Sequence, residues 1–240
     1  MSGRSAYLLA YNATLSAGWA YVLYLTLSTI ANGGSLMDVW QAVELPLEIV
    51  QTAAIAEVIH AALGVVRSPV LVTSMQVASR LWILWGIVHL VPEAVTARQV
   101  AAVSIPGTGG AAIGLSLATL TSVWALSEVL RYGHFAAKEA GIQSKALLWL
   151  RYTGFIVLYP LGVSSELAMV YLASGPIRKQ RLLSLSLPNR LNVAFDYYVV
   201  CWIIVLAYVP AFPQLYGYML AQRRKLLGGA RRSKLGRKQA

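Results

Sequence analysis

The chain has 240 residues, of which 58% are hydrophobic and only 12% charged, and a formal net charge of +11. Soluble domains carry about 25% charged residues and less than half apolar ones, so this balance excludes an ordinary soluble enzyme and fits a surface that faces lipid. The single cysteine, Cys201, excludes disulfide frameworks and cysteine metal sites.

Six apolar stretches are each long enough to cross a hydrocarbon core of about 30 Å, which predicts an all-α bundle of six transmembrane helices. The first covers about 7–30 and ends at Asn32-Gly33-Gly34. Its leading residues lack a basic region followed by an apolar run and a cleavage site, so no removable signal peptide is expected. The second covers about 45–66 and the third about 70–91, with Ser68-Pro69 between them and Pro92 after them. Positions 102–114 are small and Gly-rich, but they lack the Lys-Ser/Thr ending of a phosphate loop and read as a flexible connection. The fourth stretch covers about 113–130. The fifth, about 146–172, contains Pro160, which predicts a kink and not a break. The sixth covers about 193–220. Such spans leave no room for a separate soluble domain. The expected organisation is one transmembrane domain over 1–222 and a basic tail over 223–240.

Eight of the 20 Lys and Arg residues fall in the last 18 positions. Beside a span, a basic tail marks the cytosolic end rather than a nucleic-acid partner. With six spans both termini share a side. That side holds 13 basic loop and tail residues, Arg131 among them, against five on the other. Both termini are therefore expected in the cytosol, with the fifth span running outward. The final Arg237-Lys238-Gln239-Ala240 resembles a dibasic retrieval signal of the endoplasmic reticulum, and a plain basic anchor explains it equally well.

A charged side chain at mid-bilayer costs at least ~3 kcal/mol, so such residues are kept for pairing or for function. The candidates are Glu48, Glu57, His60, Arg80, Glu128, Arg131, Arg151 and Glu166. Depth matches Glu57 with Arg80 and Glu128 with Arg151, as structural ion pairs or as substrate contacts. His60 has only Glu57 at metal-ligand spacing, so a hydrogen-bonded structural histidine is expected and no metal. Glu166 has no basic residue at a matching depth, and an unpaired carboxyl in an apolar site is a candidate acid or base. Tyr159 lies seven residues earlier. Seven helical steps fall about 20° short of two full turns, so both side chains share a face, about 10.5 Å apart along an ideal helix. From spacing alone, a packed tyrosine and a serine-bonded glutamate explain the pair better than chemistry does.

The segment LRYTGFIVLYPLGVSSE (150–166) reverses that balance. It resembles the 3-hydroxyacyl-CoA dehydratase family of very-long-chain fatty acid elongation. So do AGWAYVLYL (17–25), QTAAIAEVIHAALGVVRSP (51–69), SRLWILWGIV (79–88), WALSEVLRYGHF (124–135) and LPNRLNVAFDYY (187–198). The resemblance covers about 11–224 and implies a six-span protein of the endoplasmic reticulum membrane with cytosolic termini. It also implies that Tyr159 and Glu166, the ends of a Y-P-x-G-x-x-x-E pattern, are the catalytic pair.

The implied reaction is loss of water from a very-long-chain (3R)-3-hydroxyacyl-CoA to give the trans-2-enoyl-CoA, with no cofactor. Implied partners are this substrate, the bilayer, and the condensing enzyme and reductases of the elongation cycle. Arg151 and Tyr152 are candidate substrate-binding donors to the thioester carbonyl. Arg67, Arg131, Lys138 and Lys145 are candidates for the CoA phosphates, or mark topology alone. Some relatives carry the label tyrosine-phosphatase-like. That chemistry needs an Arg six positions after its Cys, and six positions after Cys201 stands Ala207. The alternative function is a non-catalytic scaffold of the elongase complex, or a phosphoprotein-binding (anti-phosphatase) module. Either would keep the fold without needing Tyr159 and Glu166. A transporter is disfavoured because no repeat halves are visible.

Overall fold

In chain order the helices are α1 (Gly3–Ala31), α2 (Leu36–Ala53), α3 (Ile55–Ala62) and α4 (Val70–Leu81), which runs on into a π-helical stretch, Trp82–Val88. There follow the short α5 (Pro92–Thr96), α6 (Leu117–Glu139), α7 (Lys145–Gln180) and α8 (Tyr197–Gly236). The computed structural model describes residues 2–100, 102–104, 112–188, 190 and 192–236. The ends of the Gly-rich connection pair as a small antiparallel ribbon, β1 (Ala102–Ser104) on β2 (Ala112–Gly114), with Ala102 opposite Gly114. Positions 105–111 and the dibasic pair Arg237-Lys238 lie outside the described residues.

Serine starts four of these helices. The first amides of a helix have no intrahelical acceptor, and a hydroxyl just ahead of them supplies one. Ser2 accepts the Ser5 amide at 3.2 Å, Ser35 that of Asp38 at 3.2 Å, Ser116 that of Thr119 at 3.3 Å and Ser144 that of Leu147 at 3.2 Å. The Asp38 carboxylate returns the contact by accepting the Ser35 amide at 2.7 Å. The Ser35 hydroxyl and amide together hold that carboxyl below its ordinary range. Between α1 and α2, Gly33 takes a φ of +76°, open to glycine at no steric cost. Between α2 and α3 the chain tightens at Ala54, whose amide reaches back three residues to the Gln51 carbonyl at 3.3 Å.

Four helices are long and apolar enough to cross a membrane: Gly3–Ala31, Val70–Val88, Lys145–Gln180 and Tyr197–Leu227. The other two expected spans fall short for a visible reason. The second is split at Ala54, and its α2 part carries Asp38, Glu44 and Glu48. The fourth, α6, carries Glu128 and Arg131 in its middle. The outer faces of the helices are apolar, with Leu71 73% and Val209 70% exposed. Apolar surface of this extent is tolerable only against lipid, and the chain is an all-helical membrane protein apart from the ribbon. Helix α7 continues through Pro160 without a break.

The helices meet at small residues. At Gly18 of α1 an added Cβ would stand 2.6 Å from Val50 Cγ1 of α2, and at Gly162 of α7 it would stand 3.4 Å from Val123 Cγ1 of α6. Small residues let helix backbones approach closely where lipid supplies no hydrophobic drive. The π-helical stretch anchors the start of α8. Trp82 Nε1 donates to the Tyr197 hydroxyl at 2.9 Å, and that hydroxyl donates to the Gly86 carbonyl at 2.9 Å.

The charges pair differently from the depth match. Arg131 on α6 donates from Nη1 and Nη2 to the two oxygens of Glu57 on α3, at 2.6 and 2.7 Å. Its Nε donates at 2.7 Å to Glu128, one turn earlier on α6. Arg80 on α4 bonds the other Glu128 oxygen, and the Tyr132 hydroxyl donates to Glu57. The expected pairs Glu57–Arg80 and Glu128–Arg151 are therefore corrected to Glu57–Arg131 and Glu128–Arg80. The reason lies in α6, whose two charges are met from two different helices, Glu128 by Arg80 of α4 and Arg131 by Glu57 of α3. It presents Glu128 and Arg131 three residues apart, so each meets the opposite charge on a different neighbour. Arg131, held between two carboxylates, is also withdrawn from the candidates for CoA phosphate. Removing one member of a buried ion pair costs about 3–5 kcal/mol because the partner stays buried and unpaired. Arg131→Met should therefore lower the thermal unfolding temperature in detergent far more than lipid-facing Leu206→Ala. An unchanged unfolding temperature for Arg131→Met would contradict the ladder.

Candidate active site

Glu166 sits on α7 with 7% of its surface exposed. The close approach at Gly162 brings α7 against α6 beside Val123, and the next α6 residue, Trp124, reaches the carboxyl. Trp124 Nε1 donates to Oε1 at 3.0 Å, and the Tyr208 hydroxyl of α8 donates to Oε2 at 3.0 Å. The expected serine contact is not made: the Ser165 hydroxyl turns back to the Leu161 carbonyl at 2.8 Å. Nor is Glu166 remote from positive charge. The Arg80 guanidinium lies over the Trp124 ring, 5.5 Å from its centroid, and its charge acts on Glu166. The expectation of no basic residue at a matching depth is corrected. It failed because helix packing, which is not local in sequence, brings Arg80 of α4 over Trp124 beside Glu166.

Tyr159 lies two turns before Glu166 on the same helix. Its ring stacks on Phe212 (centroids 5.2 Å apart, planes 10° from parallel) and faces Tyr216 at 6.2 Å, with Phe212 and Tyr216 themselves stacked at 5.7 Å. Tyr208, Phe212 and Tyr216 recur every four residues and so form one stripe along α8. Helices α7 and α8 run antiparallel, so the stripe meets Tyr159 at its Phe212–Tyr216 end and Glu166 at its Tyr208 end. Tyr159 and Glu166 thus both face α8, the phenol against the Phe212 and Tyr216 rings and the carboxyl against the Tyr208 hydroxyl.

Arg151 and Tyr152 do not join this pair. They lie in the second turn of α7, about 22 Å along the helix axis from Glu166. The Arg151 guanidinium covers the Phe135 ring at 4.5 Å and the Tyr152 ring at 5.4 Å, and its buried Nε has no hydrogen-bond partner. Arg151 forms no ion pair among the described residues. Along α7 the structure thus sets Arg151 and Tyr152 apart from the Tyr159 and Glu166 side chains.

Among possible metal ligands, His60 bonds the Tyr7 hydroxyl at 2.8 Å, and Glu57 is taken up by Arg131. Glu44, Glu48 and His89 bring ligand atoms within 4.8 Å of one another, and the His89–Glu48 contact of 2.6 Å accounts for that grouping. Cys201 is buried, with its side chain at the Tyr197 end of α8.

Trp124 and Tyr208 escaped the sequence reading because each stands 42 positions from Glu166. A usable signal existed for Tyr208 in the four-residue aromatic spacing of α8. Trp124 offered only its place at the head of WALSEVLRYGHF.

The family model described as protein tyrosine phosphatase-like protein, PTPLA, matches residues 51–229. The chain is 38% identical to the very-long-chain (3R)-3-hydroxyacyl-CoA dehydratase PASTICCINO 2 of Arabidopsis thaliana over 230 residues, 95% of this chain and 96% of that protein. It is 42% identical over 229 residues to the dehydratase hpo-8 of Caenorhabditis elegans, covering 95% and 97%. It is 37% identical over 223 residues to dehydratase 2 of Homo sapiens, covering 93% and 81%. No solved structure matches the chain. A match that runs through both halves of the bundle, from the Glu57 helix to the Tyr208 helix, places the chain in the PTPLA family, whose curated members are very-long-chain (3R)-3-hydroxyacyl-CoA dehydratases.

Proposed function

We infer that this protein is a hydro-lyase that dehydrates very-long-chain (3R)-3-hydroxyacyl-CoA in fatty acid elongation. The observation that carries the assignment of roles is the pair of donors on Glu166. An indole N–H can only donate, so Oε1 is an acceptor, and Oε2 accepts from the Tyr208 hydroxyl. A carboxyl with a donor at each oxygen suits a base. Glu166 takes the proton from C2, and its electron pair becomes the second bond between C2 and C3. The C3–O bond breaks with its electrons on oxygen, and the Tyr159 hydroxyl donates the proton that turns the departing hydroxide into water. Glu166 then returns a proton to the Tyr159 phenolate through solvent, so no co-reactant is consumed. The stack on Phe212 and Tyr216 fixes the Tyr159 ring in the plane from which it donates.

The acyl chain belongs in the apolar part of the bundle or in lipid, where each buried methylene contributes about 0.8 kcal/mol. The CoA belongs at the cytosolic end of α7. Arg151, free of any carboxylate, and Tyr152 line that end and are assigned to it. Lys145, which opens α7, and Arg67 and Lys138 complete a basic rim for its phosphates.

Six spans result when the bent α2–α3 pair and α6 are counted with the four apolar helices. Support comes from Glu57, Glu128 and Arg131, whose charges meet partners inside the bundle and not in water. Residues 1–222 then form one transmembrane unit, and the basic segment 223–240 faces the cytosol. With Arg131 removed from the loop count, twelve basic residues remain on the terminal side against five on the other. The assigned membrane is that of the endoplasmic reticulum, beside the other elongation enzymes. A glycosylation acceptor inserted on a spacer after Ser186 should become modified, and one fused after Ala240 should not. The reverse pattern would overturn this topology.

Tyr159→Phe and Glu166→Gln should each lower turnover per folded molecule at least ~100-fold, the low end for a positioned acid or base. The double variant should be little worse than the worse single one, because the two groups act on one substrate as a unit. Near-normal turnover in either single variant, measured with purified protein and a long 3-hydroxyacyl-CoA, would remove that residue from the mechanism.

A further inference from the structure

Both oxygens of Glu166 are engaged, and neither engagement involves Tyr159. A carboxyl on a flexible side chain has two oxygens and several rotamers, so a base held at one point still swings. Here Trp124 of α6 fixes Oε1 and Tyr208 of α8 fixes Oε2, each at 3.0 Å, from opposite sides of α7. The Tyr208 ring stands one turn from Phe212, which stacks on Tyr159 at 5.2 Å. One stripe of α8 thus touches both reacting groups: Phe212 sets the phenol and Tyr208 sets the carboxyl. Trp124 is buried at 2% exposure under the Arg80 guanidinium, so its N–H cannot turn elsewhere.

We propose that Tyr208 is a positioning residue of the dehydratase, which orients the Glu166 carboxylate towards the substrate C2 and couples it through the α8 stripe to Tyr159. The proposal rests on the assignment of Glu166 as the base. Tyr208 donates to a carboxylate, and hydrogen bonds to charged groups are the strong ones. Its loss leaves Oε2 free to rotate away from the line of attack, which lowers the rate of the chemical step while substrate binding is unaffected. A tyrosine that merely packs α8 against α7 would instead affect yield and binding together.

The test uses the full-length protein purified in detergent, with turnover normalised to the folded fraction by size exclusion. Tyr208→Phe removes only the hydroxyl and should lower kcat about 10- to 100-fold, with KM within about twofold of wild type. In a Glu166→Gln background the same change should cost less than about twofold, since the oriented group is already gone. Trp124→Phe, which removes the donor to Oε1, should show the same kcat-selective loss and serves as the second variant if Tyr208→Phe folds poorly. A kcat within twofold of wild type in a folded Tyr208→Phe protein would overturn the proposal. So would a loss confined to KM, or a full additional loss in the Glu166→Gln background. If Glu166→Gln alone kept normal turnover, the assignment of Glu166 as the base would fall, an outcome distinct from a silent Tyr208→Phe beside a dead Glu166→Gln.

Discussion

An ion inside an apolar bundle has to meet its counter-ion there, and this requirement organises the protein. Helix α6 carries Glu128 and Arg131 three residues apart, and each finds a partner on a different neighbour. Glu57 ties α3 to α6, and Arg80 ties α4 to it. The two acids and two bases cancel, so the ladder brings no net charge into lipid. Their mutual attraction in a low-dielectric interior offsets a desolvation cost that none could bear alone. The ladder also explains why α6 is too polar to pass as an apolar span, although it packs at the heart of the bundle.

The proposed reactive pair, Tyr159 and Glu166, depends on that arrangement. Arg80 serves twice, as the partner of Glu128 and as the cation over the Trp124 ring. Trp124 in turn donates to Glu166. A continuous chain of contacts therefore runs from the structural ladder to the carboxyl, and α6 supplies a member of each. Helix α8 contributes aromatic rings at four-residue intervals. Helix α7, between them, can hold a phenol and a carboxyl two turns apart because both of its neighbours reach them. Gly162, inside the Y-P-x-G-x-x-x-E pattern, is the position at which α7 comes close enough to α6 for this to happen.

Much of this was legible in the sequence and some was not, for physical reasons. Hydropathy found the four helices long and apolar enough to cross a membrane, because the length of an apolar run is a local property. It also placed Tyr159 and Glu166 on one face, because the helical period is local too. Partners are not local. Depth along a span matched Glu57 with Arg80 and Glu128 with Arg151, yet depth counted from sequence ignores the tightening at Ala54 and the π-helical stretch over Trp82–Val88. The contacts of Trp124 and Tyr208 with Glu166 lie beyond local reading for the same reason: each is brought to the carboxyl by helix packing. Arg151 read as the partner of Glu128, whose carboxylate is instead taken by Arg80 and Arg131.

The central claim is that one base and one acid of a membrane bundle expel water from a single stereoisomer of a long acyl thioester. The most direct measurement is incubation of the purified full-length protein with very-long-chain (3R)- and (3S)-3-hydroxyacyl-CoA in parallel, with no added cofactor, and mass-spectrometric detection of the enoyl-CoA. The account predicts trans-2-enoyl-CoA from the 3R substrate alone, formed catalytically. Absence of enoyl-CoA from folded protein, or equal formation from both stereoisomers, would contradict it.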